Sequence, residues 1–210
     1  MKYYISLLFL VFLSSFRLSA QNDLQINLSN VLVYEIDFNY EHVLSDYATV
    51  GGMIGYVYDF PGESYPATYF YIGPEIRYYV APKHGADRFF IGAYFRYKNG
   101  ETHSVYEESG ETSSGYYGYY SQDIIEEYNK LAFGFTVGSK WMAESGFLYG
   151  LYAGIGRNII ADYSSTSSVD SHEDEFIPDT YHSHVYSYSK DSEYWDFRVG
   201  FMVGFRLGKN

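Results

Sequence analysis

A chain of 210 residues with no Cys, 27 Tyr, 16 Phe, 20 Gly and a formal net charge of −12 excludes several classes at once. Disulfide frameworks, thiolate metal sites, cysteine nucleophiles and a lipid-modified cysteine all need a residue the chain lacks. So acidic a surface does not suit nucleic acid, whereas abundant Gly and aromatic residues suit closely packed, aromatic-rich strands.

The first twenty residues read as a cleavable signal peptide. Lys2 precedes the apolar run Tyr3 to Phe12, and a Ser-rich stretch ends in Leu18-Ser19-Ala20 before Gln21. The apolar run is short for a spanning helix, and no later segment holds enough consecutive apolar residues for one. The expected mature protein is therefore a single exported domain, residues 21–210. Loss of Lys2 and Arg17, with no acid, moves its net charge from −12 to −14.

Period-two alternation then recurs along the chain. Residues 24–29 set Leu24, Ile26 and Leu28 against Gln25, Asn27 and Ser29. Residues 32–41 set Leu32, Tyr34, Ile36, Phe38 and Tyr40 against Val33, Glu35, Asp37, Asn39 and Glu41. Residues 48–58 alternate less cleanly but are rich in Gly and aromatic side chains. In residues 68–80, Phe70, Ile72, Ile76, Tyr78 and Val80 oppose Tyr71, Gly73, Glu75, Arg77 and Tyr79, and Pro74 predicts a bulge or irregularity. Residues 88–98 set Phe89, Ile91, Ala93, Phe95 and Tyr97 against Arg88, Gly92, Arg96 and Lys98; residues 130–141 set Leu131, Phe133, Phe135, Val137 and Trp141 against Lys130, Gly134, Thr136 and Lys140. Residues 147–158 form a seventh, Gly-rich segment. Residues 195–207 are the clearest: Trp195, Phe197, Val199, Phe201, Val203, Phe205 and Leu207 make one apolar wall, opposite Asp196, Arg198, Gly200, Met202, Gly204 and Arg206.

Eight strands follow, with tight connections at 43–47, 81–87 and 143–146 and longer ones at 59–67, 99–129 and 161–192. Short and long alternate from the second strand onward, as periplasmic turns and external loops do in outer-membrane barrels, and an even count returns both termini to the periplasm. The connection around Asn30 is external by this count yet short. A soluble sheet buries its apolar wall and shows water a face of Lys, Glu, Ser and Thr, and a lipocalin-like barrel is apolar inside. Here the face opposite the wall mixes Gly with Arg, Glu and Tyr, which suits the interior of a small membrane barrel. The expected fold is thus all-β, an eight-stranded antiparallel up-and-down transmembrane barrel with two long external loops. Its lumen is expected to pair Glu35, Asp37, Glu41, Glu75 and Asp196 with Arg77, Arg88, Arg96, Lys98, Lys130, Lys140, Arg198 and Arg206. Trp141 and Trp195 are expected at opposite membrane interfaces.

With these strands in place the chain resembles small eight-stranded outer-membrane barrels of the OmpX/OmpA-membrane-domain type. INLSNVLVYEIDFNYEHVLSDYATVGGMIGY, GPEIRYYVAP and FFIGAYFRY look more particularly like an uncharacterised outer-membrane barrel family of bacteria with a two-membrane envelope. That resemblance implies fold and location and carries no chemistry.

Whatever distinguishes this protein is expected in its long loops. Residues 99–129 hold Glu101, Glu107, Glu108, Glu111, Asp123, Glu126 and Glu127 with Tyr116, Tyr117, Tyr119 and Tyr120, read as a solvated tip above extended strands that can also serve as a contact surface. Residues 161–192 add Asp162, Asp170, Glu173, Asp174, Glu175, Asp179 and Asp191, with Glu193 beside them. Divalent cations could bridge this acidic face to lipopolysaccharide phosphates, although the carboxylates follow no calcium-loop spacing. His172, His182 and His184 lack a third-ligand motif. No segment before the first strand supplies the helix of a lipid A palmitoyltransferase, the one outward His of the strands, His42, falls at the periplasmic end, and the strands are too few for an omptin-like protease. The chain is therefore expected to be non-enzymatic, without cofactor or metal, with outer-membrane lipid, lipopolysaccharide and an external partner of loops 99–129 and 161–192 as its contacts; a small pore is the alternative, ahead of a loop-based enzyme or an exported soluble lipocalin-like barrel.

Overall fold

In a computed structural model that describes residues 21–32, 34–58, 67–111, 117–172 and 194–208, eight antiparallel strands close into a barrel in chain order. They are β1 (Asn22–Asn27), β2 (Glu35–Ser45), β3 (Ala48–Val57), β4 (Ala67–Tyr79), β5 (Arg88–Glu111), β6 (Tyr117–Met142), β7 (Phe147–His172) and β8 (Trp195–Leu207). Closure is made by β1 against β8, from Asn22 opposite Leu207 to Asn27 opposite Met202. A closed ring leaves no unpaired edge around the barrel wall, which is why short strands suffice there.

Three boundaries differ from those expected from alternation. The first strand starts at Asn22 and stops at Asn27, where one helical turn, α1 (Leu28–Val31), replaces its continuation. Asn27 caps that turn by accepting from the Ser29 backbone N–H at 3.2 Å, so the connection costs few residues. The second strand begins at Glu35. At Pro74 the register is the same on both sides: β3 pairs straight through it, and the gap in pairing falls on the β5 side at residues 73–74, where the missing N–H would have donated.

Much of the two expected long loops is strand. β5 runs on to Glu111, β6 starts at Tyr117 and β7 continues to His172, giving strands of 24, 26 and 26 residues against 13 in β4 and β8. β5 and β6 pair without a register shift from Arg88 opposite Lys140 to Glu111 opposite Tyr117, so a three-stranded sheet projects beyond the ring. The β6–β7 ladder contains one bulge, where Leu131 faces Ile160 and Ala132 faces Asn158. The extra residue, Ile159, leaves two consecutive isoleucines exposed and switches the parity of β7, so that Tyr163 beyond it shares a side with Tyr128. Residues 173–193, including His182 and His184, lie outside the described residues.

Burial around the ring is inverted relative to a soluble barrel. Phe38 is 55% exposed, Phe135 60% and Val199 71%, whereas Arg77 is 3% exposed and Lys140 is fully buried. Along β8 the alternation is unbroken from Trp195 to Met202, with Asp196, Arg198, Gly200 and Met202 buried and the intervening Trp, Phe and Val side chains outside.

Candidate functional site in the barrel lumen

The lumen is built in layers, beginning at the end that carries both termini. There Lys140 places its ammonium 2.6 Å from Asp23 and 2.8 Å from Glu41. Arg206 grips Asp23 with two nitrogens, Nε at 2.6 Å and Nη2 at 2.8 Å. Asp23 was not among the expected lumen acids, because the first strand was started one residue after it. Carrying the same alternation back from Gln25 would have found it.

Above that layer Arg77 bridges two carboxylates, donating to Glu41 and forming a fork on Glu75 at 3.1 and 3.0 Å. Glu75 also accepts from the Thr136 hydroxyl at 2.7 Å and from Arg198 at 3.4 Å. The guanidiniums lie against rings: Arg198 is 4.7 Å from the Tyr94 ring centre and 5.2 Å from that of Tyr152, and Arg77 is 4.6 Å from that of Phe90. Planar, weakly hydrated cations against aromatic rings fill a narrow interior with little void.

The third layer converges on Asp196 of β8 from β5, across two intervening strands. Tyr94 donates its hydroxyl at 2.8 Å, Arg96 its Nε at 3.0 Å and Lys98 its ammonium at 2.7 Å. They reach because Gly134 and Gly156, paired on β6 and β7, leave the wall bare; a Cβ on either would lie within 2.7 Å of the Tyr94 hydroxyl.

Nearer the loop end, Tyr71 and Asn30 tie Glu35 to Asp37. The Tyr71 hydroxyl contacts both carboxylates, and the Asn30 amide donates at 2.5 Å to Glu35 and 3.1 Å to Asp37. Lys130 sits half-buried above, 4.4 Å from the Tyr128 ring centre and 4.9 Å from Tyr163. The bulge is what turns Tyr163 toward it. Among the described residues no group of three His, Cys, Asp or Glu is arranged to hold a metal.

One expected lumen charge lies elsewhere. Arg88 is exposed at the 81–87 turn, its guanidinium 3.5 Å from the Ala81 carbonyl. The cause is local backbone: Ala81, Gly85, Ala86 and Arg88 all have positive φ, 50°, 74°, 45° and 70°, and the last of these swings the side chain out of the ring. The turn itself folds inward. Ala86 is fully buried against Tyr79, Phe90, Tyr152 and Met202, and Arg206 donates to the His84, Gly85 and Ala86 carbonyls. Asp87 anchors it by accepting from the Lys83 and His84 N–H groups at 2.5 and 3.0 Å. Burial works against ionisation of that carboxyl, but the two N–H donors win and hold it below the ordinary aspartate range.

Trp141 and Trp195 both lie on the outer face at opposite ends of the ring, Trp141 stacked on Tyr149 at 5.5 Å between ring centres and Trp195 beside Phe197 at 6.5 Å. Among the described residues the interior is largely charge-paired, and its contacts tie together strands that are not neighbours in the ring.

Among solved structures, the chain is similar to the β domain of the Bordetella autotransporter BrkA, with 11% identity over 90% of this chain and 97% of that one and a TM-score of 0.27. A likeness that weak supports neither fold nor function. No curated protein matches the chain. A family model described as a protein of unknown function, DUF3575, matches residues 5–178, and the chain therefore belongs to the DUF3575 family.

Proposed function

We propose that this protein spans the bacterial outer membrane as a plugged, non-enzymatic barrel that holds its projecting β5–β7 sheet at the cell surface, for envelope structure or contact with an external partner. The single observation that carries this reading is the inverted burial of the ring, charged inside and apolar outside. A lipocalin-like soluble barrel has the opposite arrangement. The 13 residues of β4 or β8, at about 3.3 Å per residue and a tilt of about 40°, rise roughly 33 Å, enough for an apolar band about 25 Å tall. No helix among the described residues is long and apolar enough to cross a membrane.

In this reading both termini face the periplasm after removal of the signal segment, and the acidic loops face outward, where divalent cations join them to lipopolysaccharide phosphates. The eight-stranded antiparallel ring, closed in chain order over a paired lumen, supports this reading. Membrane fractionation and gel migration test the reading together: the protein is expected with the outer membrane, and its unboiled form is expected to migrate differently from its boiled form. A soluble protein with no heat-dependent shift would overturn it. Planar-bilayer recording tests the seal separately, and steady single-channel openings would replace the plugged barrel by a small pore.

A further inference from the structure

Beside the 81–87 turn, at the end of the ring that carries the termini, lies an outer concavity of about 450 Å³. Lys83 and Arg88 line it together with Phe89 and the stacked Trp141–Tyr149 pair. Strand alternation aims residue 88 at the lumen, opposite Lys140. A φ of 70°, disfavoured for any residue with a Cβ, turns it out instead. The inward-packed turn thus leaves the Arg88 side chain exposed on the outer surface, beside the exposed Lys83.

The charged lining of the concavity is Lys83 and Arg88 against Asp87, with His84 beside them. The nearest carboxylate, Asp87, is engaged by the Lys83 and His84 N–H groups and lies 3.3 Å from the His84 ring nitrogen. Asp46 and Glu144 border the neighbouring hollow, which Lys83 and His84 also line, and not the concavity itself. Two cations therefore share the concavity with an aromatic wall that runs directly into the apolar outer surface. A free anion would leave that wall unused, whereas a phosphate joined to acyl chains uses both halves.

We infer that this concavity binds the headgroup of an anionic phospholipid in the periplasmic leaflet, with Arg88 and Lys83 donating to its phosphate and Phe89, Trp141 and Tyr149 flanking the start of its chains. The inference rests on the outer face being lipid-facing. It is tested with the protein in phosphatidylcholine vesicles by electron spin resonance, comparing the motionally restricted fraction of spin-labelled phosphatidylglycerol with that of spin-labelled phosphatidylcholine. The wild type is expected to prefer phosphatidylglycerol several-fold. Arg88→Gly is the decisive variant, because glycine accepts the left-handed backbone: folding, read by the heat-dependent gel shift, is retained while the preference is lost. Lys83→Gln is expected to reduce the preference part-way, and Arg157→Gln, an exposed cation at the other end, to leave it unchanged. No preference in the wild type, or an undiminished one in the Arg88→Gly, Lys83→Gln double variant, would overturn the inference. So would complete displacement by inorganic phosphate, which would show a site for the free anion. Failure of the protein to enter the vesicles would instead overturn the membrane reading beneath it.

Discussion

Lys140 shows what single residues contribute in this interior. Its ammonium is fully buried between Asp23 and Glu41 and lies 4.7 Å from the Tyr79 ring centre. Removing one partner of such a network leaves buried charge uncompensated. Arg206 still faces Asp23 and Arg77 still faces Glu41 in a Lys140→Met variant, so the expected loss is at the lower end of the usual range, about 3 kcal/mol, read by reversible unfolding in lipid vesicles. A loss below about 1 kcal/mol would mean that the network is slack rather than tightly coupled. The lumenward direction of Glu75, Arg77 and Lys140 was legible in the sequence, because each sits in a clean period-two segment. Arg88 departs from expectation although its segment alternates just as well: the left-handed backbone that displaces it lies in a turn packed against Arg206, whose contact with Gly85 spans 121 positions of the chain. Asp23 was missed for a simpler reason, the choice of strand start.

The elements divide in the same way. Strands of the ring were legible wherever one face is apolar throughout, as in β8. Phe201→Arg, at mid-strand on the outer face and opposite Leu151, is expected to cost about 2–4 kcal/mol in a bilayer. Met202→Arg disturbs the protein by another route, since Met202 is buried against the inward turn. Equal and negligible effects of the two substitutions on unfolding would contradict the assigned faces. Extended strands beneath the 99–129 tip were legible, but the reach of β5 and β6 and the continuation of β7 to His172 were not, because both faces of a projecting sheet can be polar and the alternation that marks a strand disappears; only the ladder with its neighbour defines it. Turns carry their own prediction. Asp87 is held ionised by its N–H donors, so its contribution is present at neutral pH and is lost as pH falls through its lowered folded value, below the ordinary value of 3.8. Asp87→Asn is expected to cost about 1 kcal/mol at pH 7 and to flatten the acid limb of the stability profile. An unaltered acid limb would show that the turn is anchored by Arg206 alone.

At the scale of the whole molecule, charge is sorted by compartment. Among the described residues the lumen sets Arg77, Arg96, Lys98, Lys130, Lys140, Arg198 and Arg206 against Asp23, Glu35, Asp37, Glu41, Glu75 and Asp196, close to balance. Among the described residues outside the lumen, acids outnumber bases. A neutralised interior stiffens the ring, and an acidic exterior suits cation-mediated contact with lipopolysaccharide. Ring closure was legible from even strand count and alternating loop lengths. What the surface recognises was not, since neither pattern constrains the composition of a solvated sheet.

The central claim is that the outer face meets lipid, and the two tryptophans at its ends report on it directly. Trp141→Phe and Trp195→Phe give two single-tryptophan proteins, to be refolded in vesicles of lipids brominated at different chain depths. Each remaining tryptophan is expected to be quenched most by shallow bromines and least by those at the bilayer centre, as interfacial residues are. Fluorescence of both proteins indifferent to every brominated lipid would contradict the account, leaving the apolar wall to be covered by protein rather than by membrane.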